Sequence, residues 1–116
     1  MTYIDIMSSL NYKTTRISRD EARKIIAKIL QEYPASVIWT KHGQERLLER
    51  GLTNDDIYNV LVSPHARILD EGEVNDRGIY SYRLQTNKFL VVVSFSSDGR
   101  QLSVVTAFRK SLLGGN

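Results

Sequence analysis

The sequence predicts one α+β domain, with N-terminal helices packed on one face of a mainly antiparallel sheet of about four strands. Two observations support this fold class. Apolar residues recur at helical spacing before residue 63 and at alternate positions from residue 67 onward. Short polar connections separate the alternating segments, and such connections suit antiparallel hairpins. Because the helices come before the strands, they are expected to gather on one side of the sheet.

Length and composition fit a single globular domain and exclude several function classes. The 116 residues are enough for one hydrophobic core, with 41% hydrophobic and 25% charged residues. The absence of cysteine excludes disulfides and a thiolate zinc site, and it favours the cytoplasm. Residues 1–7 show no basic region followed by a long apolar run, so we expect no signal peptide and no membrane partner. The net charge of +3 slightly favours a polyanionic partner.

We expect an arm over residues 1–17, a domain over 18–110 and a flexible tail over 111–116. Ser18 followed by Glu21 has the pattern of a capping box, and it opens an amphipathic helix that stops before Pro34. Residues 37–39 are strand formers and are predicted as a short strand or a buried lead-in.

Two short helices should follow the long one. Thr40 can cap a helix that Gly51 ends in a left-handed turn. Thr53 and Asp56 open another helix, which stops before Pro64. These two helices would be joined by the turn at Gly51.

The predicted strands cover residues 66–69, 79–86, 89–96 and 102–108. Alternation puts Arg83 on one side of its strand and Tyr82 on the other. The register between strands does not follow from the pattern, so which tyrosines share a face with Ser94 stays open.

One helix carries the clearest candidate chemistry. His42, Arg46 and Arg50 are spaced four residues apart and form a single stripe. Histidine exchanges a proton near neutral pH, and arginine binds a phosphate through a planar fork of donors. Metal-independent RNA cleavage needs both abilities. The alternative is that Glu45 and Glu49 neutralise the arginines and that His42 only packs or caps.

Further candidates lie on the predicted sheet. Arg83 sits inside a strand among hydroxyl groups, where a cation needs an acceptor, and Tyr82 either positions a base or packs in the core. At the C-terminal strand, Phe108 could stack on a base, while Arg109 and Lys110 could contact an RNA backbone. The alternative for these two cations is exposure to solvent.

We expect no metal and no cofactor. His65 lacks an HExxH-type partner, and the acidic residues between 70 and 76 do not have the spacing of a calcium loop. No phosphate-binding glycine loop and no GxSxG elbow is present, which disfavours nucleotide hydrolysis and serine-esterase chemistry.

Residues 40–109 resemble the small RelE-like domains of unknown function in the RelE/ParE superfamily. The resemblance rests on five segments in order: TKHGQER, RGLTNDDI, IYSYRLQ, FLVVVSF and VVTAF. It implies a compact α+β fold and the toxin of a type II toxin–antitoxin system. The implied activity is metal-independent cleavage of messenger RNA, free or on the ribosome, and the implied partner is a cognate antitoxin protein.

The resemblance also implies roles for individual residues. His42 and Arg46 match the signature pair of the helix, with Arg50 as their neighbour. By the same resemblance, the end of the sheet near the site is expected to be formed by Thr106, Phe108 and Arg109. Arg83 and Tyr82 are assigned to catalysis with His42 and Arg46 by strand position alone. The remaining RNA contacts are assigned to Lys41 and Lys110.

Two departures leave alternatives open. The helix over residues 18–33 and the arm before it are additions to the short family core. Some members of the superfamily inhibit DNA gyrase without cutting RNA. The chain could therefore be a non-catalytic toxin that binds a protein such as gyrase, or a regulatory nucleic-acid-binding module.

Overall fold

The computed structural model describes residues 10–69 and 71–110. The predicted tail and the first nine residues of the predicted arm lie outside this part. The described residues form three helices: α1 (Arg19–Glu32), α2 (Lys41–Glu49) and α3 (Asn54–Val62). Their six strands are β1 (Val37–Trp39), β2 (Arg67–Ile68), β3 (Glu73–Val74), β4 (Tyr80–Gln85), β5 (Phe89–Phe95) and β6 (Leu102–Arg109).

The α+β class is confirmed, but the sheet is wider than predicted and mixed. Its order is β1-β6-β5-β4-β2, and β3 also pairs with β4. The pairs β4–β5 and β5–β6 are antiparallel, as expected for hairpins, whereas β1 lies parallel to β6. The predicted number of strands, about four, was too low. Strand β3 has only two residues, which are too few for alternation to be visible. The pairing of β1 is non-local, so periodicity does not reveal it.

Side-chain caps begin all three helices. Ser18 Oγ accepts from the amide of Glu21 at 3.1 Å, and Thr40 Oγ1 accepts from the amide of Gly43 at 2.8 Å. The full reciprocal capping box occurs at Thr53, not at Ser18, with the carboxylate of Asp56 accepting from the Thr53 amide.

One face of the sheet is buried under α1 and α3. The buried strand residues are Ile68, Tyr82, Leu84, Val91, Val93, Phe95, Leu102, Val104 and Ala107. They form one cluster with the apolar sides of the two helices, namely Ala22, Ile26, Ile29, Ile57, Val60 and Leu61. The alternation predicted for β4 is therefore confirmed, because Tyr82 and Leu84 are buried between half-buried neighbours.

The opposite side of the sheet is half-buried to exposed, and we call it the open face. It includes Arg67, Arg83, Gln85, Leu90, Val92, Thr106 and Phe108. Two rows of directly paired residues cross it, which are Arg83–Val92–Thr106 and Arg67–Gln85–Leu90–Phe108. Residues paired in this way point to the same side of a sheet. No helix in the described part of the chain is long and apolar enough to cross a membrane.

Candidate functional site

Helix α2 lies along the edge of the sheet, beside the half of β6 that β1 does not reach. Strand β1 pairs with residues 102–104 only. Gly43 then brings α2 so close to β6 that a Cβ at this position would lie 2.5 Å from the carbonyl oxygen of Val104. Val105 is an extra residue in β6, since Val93 pairs with Val104 and Val92 with Thr106. Such bulges often re-aim side chains next to functional sites.

The two flanks of α2 face different sides of the sheet. Leu47 is buried in the core cluster with the residues under α1 and α3. Arg50, in contrast, contacts Thr106 and Phe108, which belong to the open face. The end of α2 that carries Arg50 therefore borders the open face, and Arg46 and His42 lie one and two turns before it on the helix.

Arg50 is the most firmly held cation of the stripe. Its Nη1 donates to the carbonyl oxygen of Ala107 at 2.7 Å and to Thr106 Oγ1 at 3.2 Å. Its guanidinium carbon lies 4.1 Å from the ring centroid of Phe108. A guanidinium has five N–H donors, so donors remain on Nε and Nη2 after these contacts. Arg50 thus presents an oriented, partly desolvated positive charge beside Phe108, a residue that is 36% exposed.

His42 and Arg46 are more accessible than Arg50. His42 is exposed in the first turn of α2, and its side chain makes no hydrogen bond or ion pair within residues 10–69 and 71–110. Arg46 is half-buried and forms an ion pair with Glu49, one turn further along. Glu49 therefore neutralises Arg46 in part, as the alternative interpretation of this helix expects. Glu45 makes no such pair in the described part of the chain.

Arg83 and Tyr82 lie on opposite sides of β4. Arg83 belongs to the open face and forms an ion pair with Glu73 at 3.3 Å. Two strand spacings, about 10 Å, separate its backbone from Thr106 in the same row.

Tyr82 is fully buried, so it is corrected from a site residue to a core residue. Its hydroxyl accepts from the amide of Ile17 at 3.1 Å, and its ring lies 5.4 Å from that of Phe95. Burial raises the pKa of the Tyr82 phenol, while the Ile17 hydrogen bond opposes the shift. Alternation predicted that Tyr82 faces away from Arg83, but it could not say which side is buried.

The remaining predicted RNA contacts are distributed around β6. Arg109 lies on the helix side, where its Nη2 donates to the carbonyl oxygen of Gly51 at 3.1 Å and its guanidinium carbon lies 5.6 Å from the ring centroid of Phe89. Lys41 comes two residues before the buried Gly43, so it points away from the sheet. Lys110 donates to Gln85 on the open face. Of the predicted contacts, Arg50 touches both Thr106 and Phe108, whereas Lys41 and Arg109 make other contacts or none.

Comparison with known families identifies the domain that carries this geometry. A family described as a domain of unknown function (DUF4258) matches residues 39–111. The chain belongs to this family. Comparisons with curated proteins and with solved structures found no match. The matched part of the chain runs from the end of β1 through β6, so the DUF4258 domain includes α2 and all the strands of the open face.

The DUF4258 domain also contains positions that sequence reasoning missed. Gly43 was not a predicted site residue, although a glycine in the first turn of a helix is a visible signal of close backbone contact. Gln85 and Arg67 were missed because only the strand register puts them on the open face. Within residues 10–69 and 71–110, no three His, Asp or Glu side chains lie close enough to hold a metal ion.

The arrangement can bind an extended polyanion. The open face and the adjoining stripe of α2 offer several cations, hydroxyl and amide groups and one partly exposed aromatic ring. Cations bind phosphates, and the ring offers a surface on which a base can stack. His42 adds an exposed imidazole on the same helix as Arg46.

Proposed function

We propose that this DUF4258 domain is a RelE/ParE-like toxin of a type II toxin–antitoxin system that cleaves messenger RNA without a metal. The observation that carries the proposal is the contact of Arg50 with Phe108 and Thr106, on the same stripe as His42 and Arg46. A fixed cation and an accessible aromatic ring then adjoin the helix that carries the exposed imidazole of His42. The RNA would be bound free or on the ribosome, and a cognate antitoxin would inhibit the enzyme.

The proposed reaction is transesterification of one RNA phosphodiester. The ribose 2′-oxygen attacks the phosphorus and the bond to the 5′-oxygen breaks. The 2′-hydroxyl proton passes to the imidazole of His42, and the departing 5′-oxygen takes a proton from water. Arg46, one turn from His42, stabilises the additional negative charge of the phosphorane, and Arg50, a further turn along, holds the adjoining phosphate beside Phe108. The products are a 2′,3′-cyclic phosphate end and a 5′-hydroxyl end.

The open face positions the rest of the strand. Phe108 stacks on a base next to the reacting phosphate, because its ring is partly exposed and its other surface already contacts Arg50. Arg83 is about 10 Å from Thr106 across the sheet, so it contacts a neighbouring phosphate rather than the scissile one. Tyr82 takes no part, since its hydroxyl is bonded in the core.

One observation favours a second candidate function, a nucleic-acid-binding module that does not cleave. Arg50 is held on the sheet by its contacts with Ala107 and Phe108, and neither contact involves His42. RNA binding by these residues would persist without the histidine. The two functions therefore differ in the effect of one substitution on binding and on cleavage.

The experiment compares induction of the intact chain in a bacterial host with induction of His42→Ala, Arg46→Ala and Lys28→Ala. Lys28 is an exposed cation on α1 and serves as the control. We expect growth arrest with new cyclic-phosphate RNA ends for the intact chain and the control, and loss of both for the other two variants. Arrest with intact RNA would contradict cleavage and indicate a protein target. RNA binding without arrest or new ends would support the non-cleaving module.

A further inference from the structure

A basic pocket lies on the open-face side of the sheet, in addition to the candidate site beside α2 and away from that helix. Its volume is about 750 Å³. It lies where β2 begins, where the hairpin between β4 and β5 turns, and where β6 ends. The lining residues are Pro64, His65, Ala66, Arg67, Gln85, Thr86, Asn87 and Lys110.

Lys110 is held in this pocket with donor capacity remaining. Its Nζ donates to Gln85 Oε1 at 2.7 Å and to the carbonyl oxygen of Thr86 at 3.2 Å. An ammonium has three donors, so one remains for a ligand. Because Gln85 accepts through Oε1, its amide NH₂ is also left as a donor.

Arg67 and His65 supply further donors to the same pocket. Arg67 is exposed, and neither side chain makes a hydrogen bond or ion pair within the described ranges. None of the described residues that line the pocket is acidic. Two permanent cations, a histidine and an amide thus surround a space with no carboxylate to neutralise them, which favours an anionic ligand.

The pocket is continuous with the site beside α2. Arg67 pairs with Gln85, Gln85 with Leu90, and Leu90 with Phe108, so one row of the open face joins the pocket to the Arg50–Phe108 contact. Three strand spacings, about 14 Å, separate the backbones of Arg67 and Phe108. A short single strand can contact both places at once.

We infer that the pocket formed by His65, Arg67, Gln85 and Lys110 binds a backbone phosphate of the same single-stranded RNA that contacts Arg50 and Phe108. The inference rests on the proposed function, which supplies the RNA. The pocket lengthens the RNA-binding surface from the α2 stripe across four strands. It therefore selects substrates that extend several nucleotides beyond the cleavage point, and it is a specificity site for RNA length.

The test measures binding of fluorescein-labelled RNA oligonucleotides by anisotropy, with every 2′-hydroxyl replaced by fluorine so that the attacking group is absent and no cleavage occurs. A trinucleotide and an octanucleotide are compared over a range of salt concentrations. The variants are Arg67→Ala and Lys110→Met in the pocket, Arg50→Ala at the site, and Lys28→Ala as the control. Arg67 has no described contact to lose, so its removal should leave the fold intact, which circular dichroism checks.

We expect each pocket variant to weaken octanucleotide binding about tenfold and to change trinucleotide binding less than twofold. Each should also lower the slope of log K against log salt by about 0.7, the value for one lost phosphate contact on a single strand. Arg50→Ala should weaken both lengths.

Two other outcomes are distinguishable. If Arg50→Ala weakens binding while both pocket variants match Lys28→Ala at both lengths, the pocket inference is wrong and the proposed function stands. If the intact chain binds neither oligonucleotide at low salt, both the pocket inference and the proposed function are wrong.

Discussion

The guanidinium carbon of Arg50 lies 4.1 Å from the centre of the Phe108 ring, and this contact joins the end of α2 to the open face of the sheet. The guanidinium of Arg50 also donates a hydrogen bond to the carbonyl oxygen of Ala107, which lies on the part of β6 that does not pair with β1. One side chain thus helps to hold the helix at the sheet edge and orients a positive charge toward the open face. Stability and RNA binding should therefore depend on the same residue.

Two substitutions of Arg50 should distinguish the contribution of its charge to stability from that of its planar guanidinium. Arg50→Ala removes two hydrogen bonds and a cation–π contact, and we expect it to lower the free energy of unfolding by about 1–3 kcal/mol. Arg50→Lys keeps the charge but loses the planar fork, so it should recover less than half of that loss. Urea denaturation measures both values. Equal stability of the intact chain and Arg50→Ala would show that these contacts do not hold α2 in place.

Gly43→Ala should destabilise the domain even though alanine is the better helix former. The added Cβ would lie 2.5 Å from the carbonyl oxygen of Val104 and 3.2 Å from that of Val105. Relief of these contacts would require the backbone of α2 or β6 to move, which costs free energy. We expect a loss of about 1–3 kcal/mol, the usual range for overpacking. Gln44→Ala, at an exposed position of the same helix, is the matched control and should change stability by less than about 0.5 kcal/mol. A thermally stabilised Gly43→Ala would contradict the close approach of α2 to β6.

Tyr82→Phe tests whether this residue is structural. Without the hydroxyl, the Ile17 amide loses its acceptor, so the free energy of unfolding at pH 7 should fall by about 1–2 kcal/mol. RNA binding by the variant should equal that of the intact chain. A large loss of RNA binding with unchanged stability would show that Tyr82 is a site residue and not a core residue.

The pH dependence of stability provides a second test of the Tyr82 environment. Its pKa is raised in the folded chain above the ordinary value of 10.0, mainly by burial. The folded state therefore retains the proton that the unfolded state releases, and stability falls as the pH rises above about 10. Urea denaturation in steps from pH 9 to 11 should show a smaller decline for Tyr82→Phe than for the intact chain. Equal declines would mean that the phenol titrates alike in both states.

Removal of the Glu49 carboxylate should strengthen RNA binding. Glu49 forms an ion pair with Arg46, which lies one turn before Arg50. Glu49→Gln frees Arg46 for a phosphate, so we expect octanucleotide affinity to rise about threefold, with stability within about 0.5 kcal/mol because exposed pairs contribute little. Glu45→Gln makes the same charge change on the same helix without an ion pair and should raise affinity less. Identical effects of the two variants would show that net charge alone is responsible.

Local features of this fold could be predicted from the sequence. The helix limits near Thr40, Gly51 and Thr53 follow from capping and from the positive φ of 65° at Gly51, which favours glycine. These signals depend on residues a few positions apart. The hairpins and the alternation of β4 are local in the same sense.

The non-local features could not be predicted. The parallel pairing of Val37 with Leu102 and the pairing of Arg67 with Gln85 join distant parts of the chain, and no periodicity encodes them. The choice of buried side in β4 depends on where α1 and α3 pack. The sequence therefore predicted the spacing of His42, Arg46 and Arg50 along α2, but it placed the buried Tyr82 in the site and did not reveal the pocket at Arg67.

The measurement that tests the central claim most directly uses purified chain and a synthetic RNA of defined sequence, with a chelator present and with mass spectrometry of the product ends. Intact chain, His42→Ala and Lys28→Ala are compared, each with and without ribosomes. We predict 2′,3′-cyclic phosphate and 5′-hydroxyl ends from the intact chain and from Lys28→Ala, and a loss of at least about a hundredfold in rate for His42→Ala. RNA that stays intact with the folded chain, with and without ribosomes, would contradict the account.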